Sequence, residues 1–274
     1  MGTVKQIQNL HKRYRYSMIL LKQLVVTDFK LRYQGSVLGY AWSLLRPILL
    51  FLILYLVFVK GLKVGNGIEH FPIYLLLGIV MWNFFAEITS MSLTAIVSRG
   101  DLIRKIRIPR WIIVLSSSVS ALINLSLNLL VVAVFMYFNH VDLSRTILWL
   151  PLIFLQLYLF AVGVALLLSA GFVKYRDITY IWEVVLQAGF YLTPIIYPLV
   201  VIKNLFFQKL IIISPVATAM QDARYALVTH DTLTVGQVFG DTIYRLIPYG
   251  ITLTVLLLGF LYFKREAKDF AENL

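Results

Sequence analysis

Cysteine is absent from all 274 residues, which excludes disulfides and thiol chemistry and leaves the compartment open. Acidic residues are scarce, 13 against 25 Lys and Arg, and the four His are scattered. No two carboxylates stand in an acid–base arrangement, and neither H-E-x-x-H nor G-x-S-x-G occurs. No glycine is followed by lysine, so the phosphate-cradling G-x-x-x-x-G-K-[ST] loop is missing. The sequence therefore offers no catalytic centre, no nucleotide site and no metal or cofactor site of its own.

What is there instead is hydrocarbon. The chain is 60% hydrophobic and 14% charged, with a mean hydropathy of +0.83, the composition of an integral membrane protein. Six apolar stretches approach or exceed the roughly 20 residues that a spanning helix needs. They are Leu44 to Val59 with a lead-in from Val37, Phe71 to Val97, Trp111 to Phe138, Ile147 to Val173, Ile178 to Ile202 and Tyr244 to Phe263. Their length and lack of period-2 alternation predict helices, not a barrel. The expected fold is all-α: a cytoplasmic interfacial region over 1–34, six membrane helices over 35–264 and a cytoplasmic tail over 265–274. The first thirty residues carry scattered cations and no separate apolar core, so no cleavable signal peptide is expected.

Lys and Arg set the orientation. Seven precede the first span, five lie between spans two and three, two between four and five, and three follow the last; the opposite loops hold two, one and, with Arg245 at the edge of the last span counted in, four. Both termini are thus expected in the cytoplasm. The net charge of +12 then has a simple source in attraction to anionic headgroups, and nucleic acid is not an expected partner.

Ile7, Leu10, Tyr14, Met18, Leu21 and Val25 recur at spacings of three and four, the pattern of an amphipathic helix lying in the interface. Lys30, Arg32 and Tyr33 follow, then Gly35 and Gly39, which let the backbone turn from in-plane to spanning, and Trp42 at interface level. Arg46, just inside the span, either snorkels to the surface or meets an anionic lipid or phosphate-bearing substrate. Between spans two and three, Gly100 and Asp101 can start a short helix that Pro109 ends. It carries Leu102, Ile103 and Ile106 among Arg104, Lys105 and Arg107. Two turns are not stable alone in water, so this helix packs on the membrane surface or, as its charge and apolar knob favour, on a soluble partner. The second cytoplasmic loop is Tyr175, Arg176 and Asp177, too short to fold by itself.

Polar residues run along the spans: Asn83, Glu87, Ser90 and Thr94 share one face, and Ser117, Ser120, Asn124 and Asn128 share another. Glu183 and Gln187 do the same in span five. Such stripes serve helix-to-helix hydrogen bonds or line a hydrated pathway. The 18 Phe, 16 Tyr and 5 Trp exceed what two interface belts require, and Trp82, Phe85 and Tyr191 sit inside or at the ends of spans. Their rings either pack among helices or offer faces to sugar rings. Pro194, Pro198 and Pro215 break the segment after span five, and the stretch between is too short to cross, so a re-entrant or surface helix pair is expected there.

In this order, "FKLRYQGSVLGYAWSLLRP", "GIVMWNFFAEI", "LIRKIRIPR", "YRDI", "YLTPIIYP" and "SPVATAMQDAR" resemble the permease subunits of type-2 ABC transporters that export polysaccharides such as O-antigen, capsule or wall teichoic acid. The resemblance covers nearly the whole chain and is strongest at Lys30, Arg32, Tyr33, Ser36, Leu38, Gly39, Trp42 and Pro47 and at the Tyr175, Arg176 and Asp177 loop; Ser214 stands where many relatives carry Asn. It implies a non-catalytic homodimer in the bacterial cytoplasmic membrane, two separate ATP-binding subunits that hold the ATP and Mg, and a lipid-linked polysaccharide as substrate. With that resemblance, Lys30, Arg32, Tyr33, Trp42 and Arg46 are expected to meet the substrate headgroup and Leu102 to Pro109 to couple to the ATPase, while the ring density and the polar stripe make Trp82, Asn83, Phe85, Glu87, Ser90 and Tyr191 the candidates for lining the pathway. A related permease for a drug or a lipid is the alternative, and a membrane-embedded glycan-processing enzyme a more distant one.

Overall fold

The computed structural model describes residues 16–28, 30–31, 34–64, 67–105, 109–142, 144–268 and 270. Residues 16–28 form helix α1. Then come α2 (Trp42–Leu54), continued by the π-helical Tyr55–Gly61, α3 (Phe71–Ser98), α4 (Gly100–Lys105), α5 (Trp111–Phe138) and α6 (Leu150–Lys174). After α7 (Ile178–Leu192), three shorter helices follow: α8 (Leu205–Ile212), α9 (Pro215–Leu227) and α10 (Val235–Phe239). The last helix is α11 (Leu246–Glu266). Among the described residues there is no strand.

Among the described residues, five helical stretches are long and apolar enough to cross a membrane: Trp42–Gly61, Phe71–Ser98, Trp111–Phe138, Arg145–Lys174 and Thr242–Glu266. The sixth, α7, is shorter than the sequence suggests, since the apolar run to Ile202 predicts a full span and the helix stops at Leu192. Its 15 residues rise about 22 Å, short of the roughly 30 Å hydrocarbon core. Pro194 is the cause: the residue before a proline is driven out of the helical region, and Thr193 is extended at φ −79° and ψ 138°. The chain from Thr193 to Pro198 is irregular but almost entirely buried.

Helix α3 is the hub. Apart from its one polar stripe it is apolar, it is buried along most of its length, and α2, α5, α6, α7 and α9 pack on it. Helices α6 and α11 cross at their glycines. A Cβ on Gly163 would lie 2.8 Å from the Leu256 backbone, and one on Gly259 would run into the Gly163 carbonyl oxygen. Close backbone approach through small residues is how helices gain dispersion contacts where lipid tails remove the hydrophobic driving force.

Candidate translocation site

The corner between α1 and α2 is built on two left-handed glycines, Gly35 at φ +77° and Gly39 at φ +48°, with the Gly39 N–H donating to Ser36 Oγ at 3.2 Å. Lys30, Trp42 and Arg46 are exposed around it, and Val37 and Leu38 stand out from its tip. Arg32 and Tyr33 lie outside the described residues.

In α4, Leu102 and Ile103 are half-buried and packed against the bundle core, while Arg104 and Lys105 are exposed. The apolar side of this short helix is thus taken up within the chain, and its basic side is the part left open. Pro109 is half-buried, and Ile106 and Arg107 lie outside the described residues. In the other loop, Tyr175, Arg176 and Asp177 are exposed, with the Arg176 guanidinium over the Phe172 ring at 5.0 Å.

The stripe on α3 divides. Trp82 and Phe85 are buried, and Phe85 stacks on Phe160 of α6 and meets Trp182 of α7 edge-on, while Trp82 meets Phe190. The Trp182 indole N–H donates to Thr89 Oγ1 at 3.1 Å. This aromatic cluster glues α7 to α3. Glu87 accepts from Asn124 Nδ2 at 2.5 Å, and Asn128 Nδ2 donates to the Asn124 and Ser43 carbonyls, so this chain of polar groups ties α3, α5 and α2. Asn83 is half-buried and Ser90 exposed.

Helix α7 buries none of its side chains fully, and its free surface has two sectors. Ile181, Val185, Ala188 and Leu192 form an aliphatic one. At 100° per residue, Tyr180, Glu183, Gln187 and Tyr191 fall within about 80° of one another on the neighbouring one, all exposed. Two rings, a carboxylate and an amide on one strip of an apolar helix do not belong in lipid.

Sequence reasoning passed over Arg224 of α9, which is fully buried. Its Nε donates to the Tyr74 carbonyl at 3.0 Å, Nη1 to the Pro194 carbonyl at 2.5 Å and to Gln221 Oε1 at 3.0 Å, and Nη2 to the Ile195 carbonyl at 2.9 Å. The guanidinium also lies over the Tyr74 ring at 3.6 Å, and the Tyr74 hydroxyl donates to Gln221. One side chain thus satisfies the carbonyls that the break after α7 leaves without helical partners. Burial lowers its pKa to about 10, so it stays charged at neutral pH. Beside it, Asp222 is pushed up to about 6 by burial, against the pull of Arg245.

The sequence profile of the ABC-2 type transporter family matches residues 19–228, from α1 through the Arg224 helix. The chain belongs to the ABC-2 type transporter family. This ABC-2 permease is 29% identical over 260 residues to an O-antigen export system permease protein RfbA of Klebsiella pneumoniae, covering 94% of the chain and 96% of the relative. It is 28% identical over 226 residues to the protein of the same name from Myxococcus xanthus, covering 82% and 85%. A second Klebsiella pneumoniae RfbA is 28% identical over 192 residues, covering 69% and 73%. The corner, α4, the aromatic cluster and Arg224 all fall inside the family match. The ABC-2 permease is the membrane-spanning subunit of its transporter and performs no bond chemistry itself.

Proposed function

We propose that this ABC-2 permease exports a lipid-linked polysaccharide across the bacterial cytoplasmic membrane, as a homodimer driven by two copies of a separate ATP-binding subunit that carries the ATP and Mg. The observation that carries this reading is the exposed strip Tyr180, Glu183, Gln187 and Tyr191 on α7. Its aliphatic neighbour suits lipid or a second copy, whereas the strip needs water or substrate. Two such strips across a dimer would give a polar passage with ring faces against which sugars slide without tight hydrogen bonds. Trp82 and Phe85 hold α7 in place from behind.

The headgroup is met at the corner by Lys30, Trp42 and Arg46, which are exposed there, and by Arg32 and Tyr33, which stand between them in the sequence. Both termini and α4 lie on that side, and α4 presents Arg104 and Lys105 to the ATP-binding subunit. The O-antigen export assigned by name to the relatives favours a glycan over a drug or simple lipid. The test uses the natural absence of cysteine. Single cysteines at Glu183, Gln187 and Tyr191, in the complex with its ATP-binding subunit, should react with a membrane-impermeant thiol reagent in at least one nucleotide state, and bound lipid-linked glycan should slow the reaction. Resistance in every state would remove α7 from the passage, and protection by a drug or phospholipid alone would favour the alternative cargo.

A further inference from the structure

Arg99 occupies the junction between α3 and α4, and four elements meet on it. It closes α3, and its carbonyl accepts the N–H groups of Leu102 and Ile103 at 3.1 Å each, which starts α4. Its guanidinium reaches the first turns of α5, donating to Ser116 Oγ at 3.3 Å and the Ile113 carbonyl at 3.5 Å. The other terminal nitrogen, Nη2, is bonded to Asp28 Oδ1 at the end of α1. Both side chains are largely shielded, with 17% of Arg99 and 13% of Asp28 exposed, and Asp28 Oδ2 is buried with no hydrogen-bond partner among the described residues. An ion pair so shielded is neither a solvated surface contact nor easily replaced by water. The backbone between the two residues runs 71 positions, through the corner, α2 and α3, so no local connection holds α1 against α4.

We propose that the Asp28–Arg99 pair is the pin that makes α1 and α4 one mechanical body, so that a displacement delivered to α4 by ATP hydrolysis reaches the interfacial helix and the corner that follows it. Arg99 is suited to this because its backbone begins α4 while its side chain holds α1: a shift of α4 must either carry Asp28 along or strip a shielded carboxylate of its cation. Asp28 and Arg99 are positioning residues and touch no substrate. The inference rests on the reading of α4 as the docking element, and the experiment separates the two.

In the complex with its ATP-binding subunit in lipid nanodiscs, a cysteine replacing exposed Lys22 of α1 and, separately, one replacing exposed Asp101 of α4 carry an environment-sensitive fluorophore. Both probes should respond to ATP. Asp28→Asn and Arg99→Gln should each cut the response at Lys22 roughly tenfold, equivalent to about 1.4 kcal/mol of lost coupling, while the Asp101 response persists. The exchange Asp28→Arg with Arg99→Asp should restore it. Because single variants can lower yield, Asp28→Cys with Arg99→Cys, bridged by a short bifunctional thiol reagent, supplies a covalent pin that should keep the Lys22 response. An undiminished Lys22 response in Asp28→Asn, or a bridged protein in which it is silent, overturns the pin. A silent Asp101 probe in the unsubstituted pair overturns the docking reading and this inference with it, whereas a responsive Asp101 beside a silent Lys22 overturns the pin alone.

Discussion

Replacing Arg224 by Met keeps a long apolar stem and removes every donor. Three backbone carbonyls, those of Tyr74, Pro194 and Ile195, then lose the bonds they receive from it. The Tyr74 carbonyl keeps its place in the α3 ladder, whereas those of Pro194 and Ile195 have no helical partner; each buried acceptor left unsatisfied costs about 1–3 kcal/mol, and the guanidinium's contact with the Tyr74 ring is lost too. Relief of the buried charge offsets part of this, since a desolvated cation without a carboxylate partner is itself expensive. The net expectation is a loss of about 3–5 kcal/mol, which puts Arg224→Met in the rare class of severe substitutions. Arg224→Lys should recover little of it, because an ammonium at a single point cannot reach acceptors on three sides of a planar fork. The assay is thermal inactivation of the purified complex, with limited proteolysis at the Thr193–Ile202 segment as the local readout. If Arg224→Met melts within about 1 kcal/mol of the unsubstituted protein and the segment stays protected, the carbonyls have other partners and the clamp reasoning is wrong.

The remaining predictions are narrower. Burial raises Asp222 from 3.8 to about 6 in the fold, so the folded state binds its proton more tightly; its contribution to stability should be fully present below pH 4, fall by about 2–3 kcal/mol as the pH rises to 6, and level off above, and the difference between melting curves of the unsubstituted protein and Asp222→Asn should show that slope. Gly259→Ala should destabilise by about 1–3 kcal/mol because its methyl meets fixed backbone, whereas Gly250→Ala on the same helix, with open space around it, should be neutral or slightly stabilising; equal melting temperatures for the two would refute the close crossing of α6 and α11. Asn124→Leu should cost about 0.6–2 kcal/mol through loss of the bond to Glu87, read as a lower melting temperature with Glu87→Gln much milder.

The spans were legible because apolar runs of 20 or more residues have no other stable home, and the third, Trp111–Phe138, begins and ends where its hydropathy does. So were the glycine corner and the short α4, since a glycine pair and a proline constrain the backbone whatever surrounds them. The length of α7 was not legible, because Ile195, Ile196 and the residues from Leu199 to Ile202 are as apolar as the helix before them. Hydropathy measures what a segment avoids and is blind to whether its carbonyls are bonded. Nor does a stripe of polar residues reveal which partner it faces. Glu87 is bonded to a neighbouring helix and Glu183 to none of the chain's helices by any hydrogen bond or ion pair seen among the described residues, although both read alike as acids in hydrocarbon.

Arg224 shows why the hardest residue to read was the one the fold depends on most. In the sequence it stands in "MQDAR", one cation in a polar stretch between two spans, indistinguishable from a residue that snorkels to water. Its acceptors come from Tyr74, 150 positions earlier, and from Pro194 and Ile195, 30 and 29 positions earlier, and no local pattern joins them. Yet the need it meets was already written: a proline-broken apolar segment must have its freed carbonyls bonded by something within the protein, because lipid offers no donors. A break of this kind therefore implies a buried multi-donor side chain elsewhere in the chain, and arginine, with five N–H groups in a fixed fork, is the residue best able to serve two freed carbonyls while holding on to a neighbouring helix.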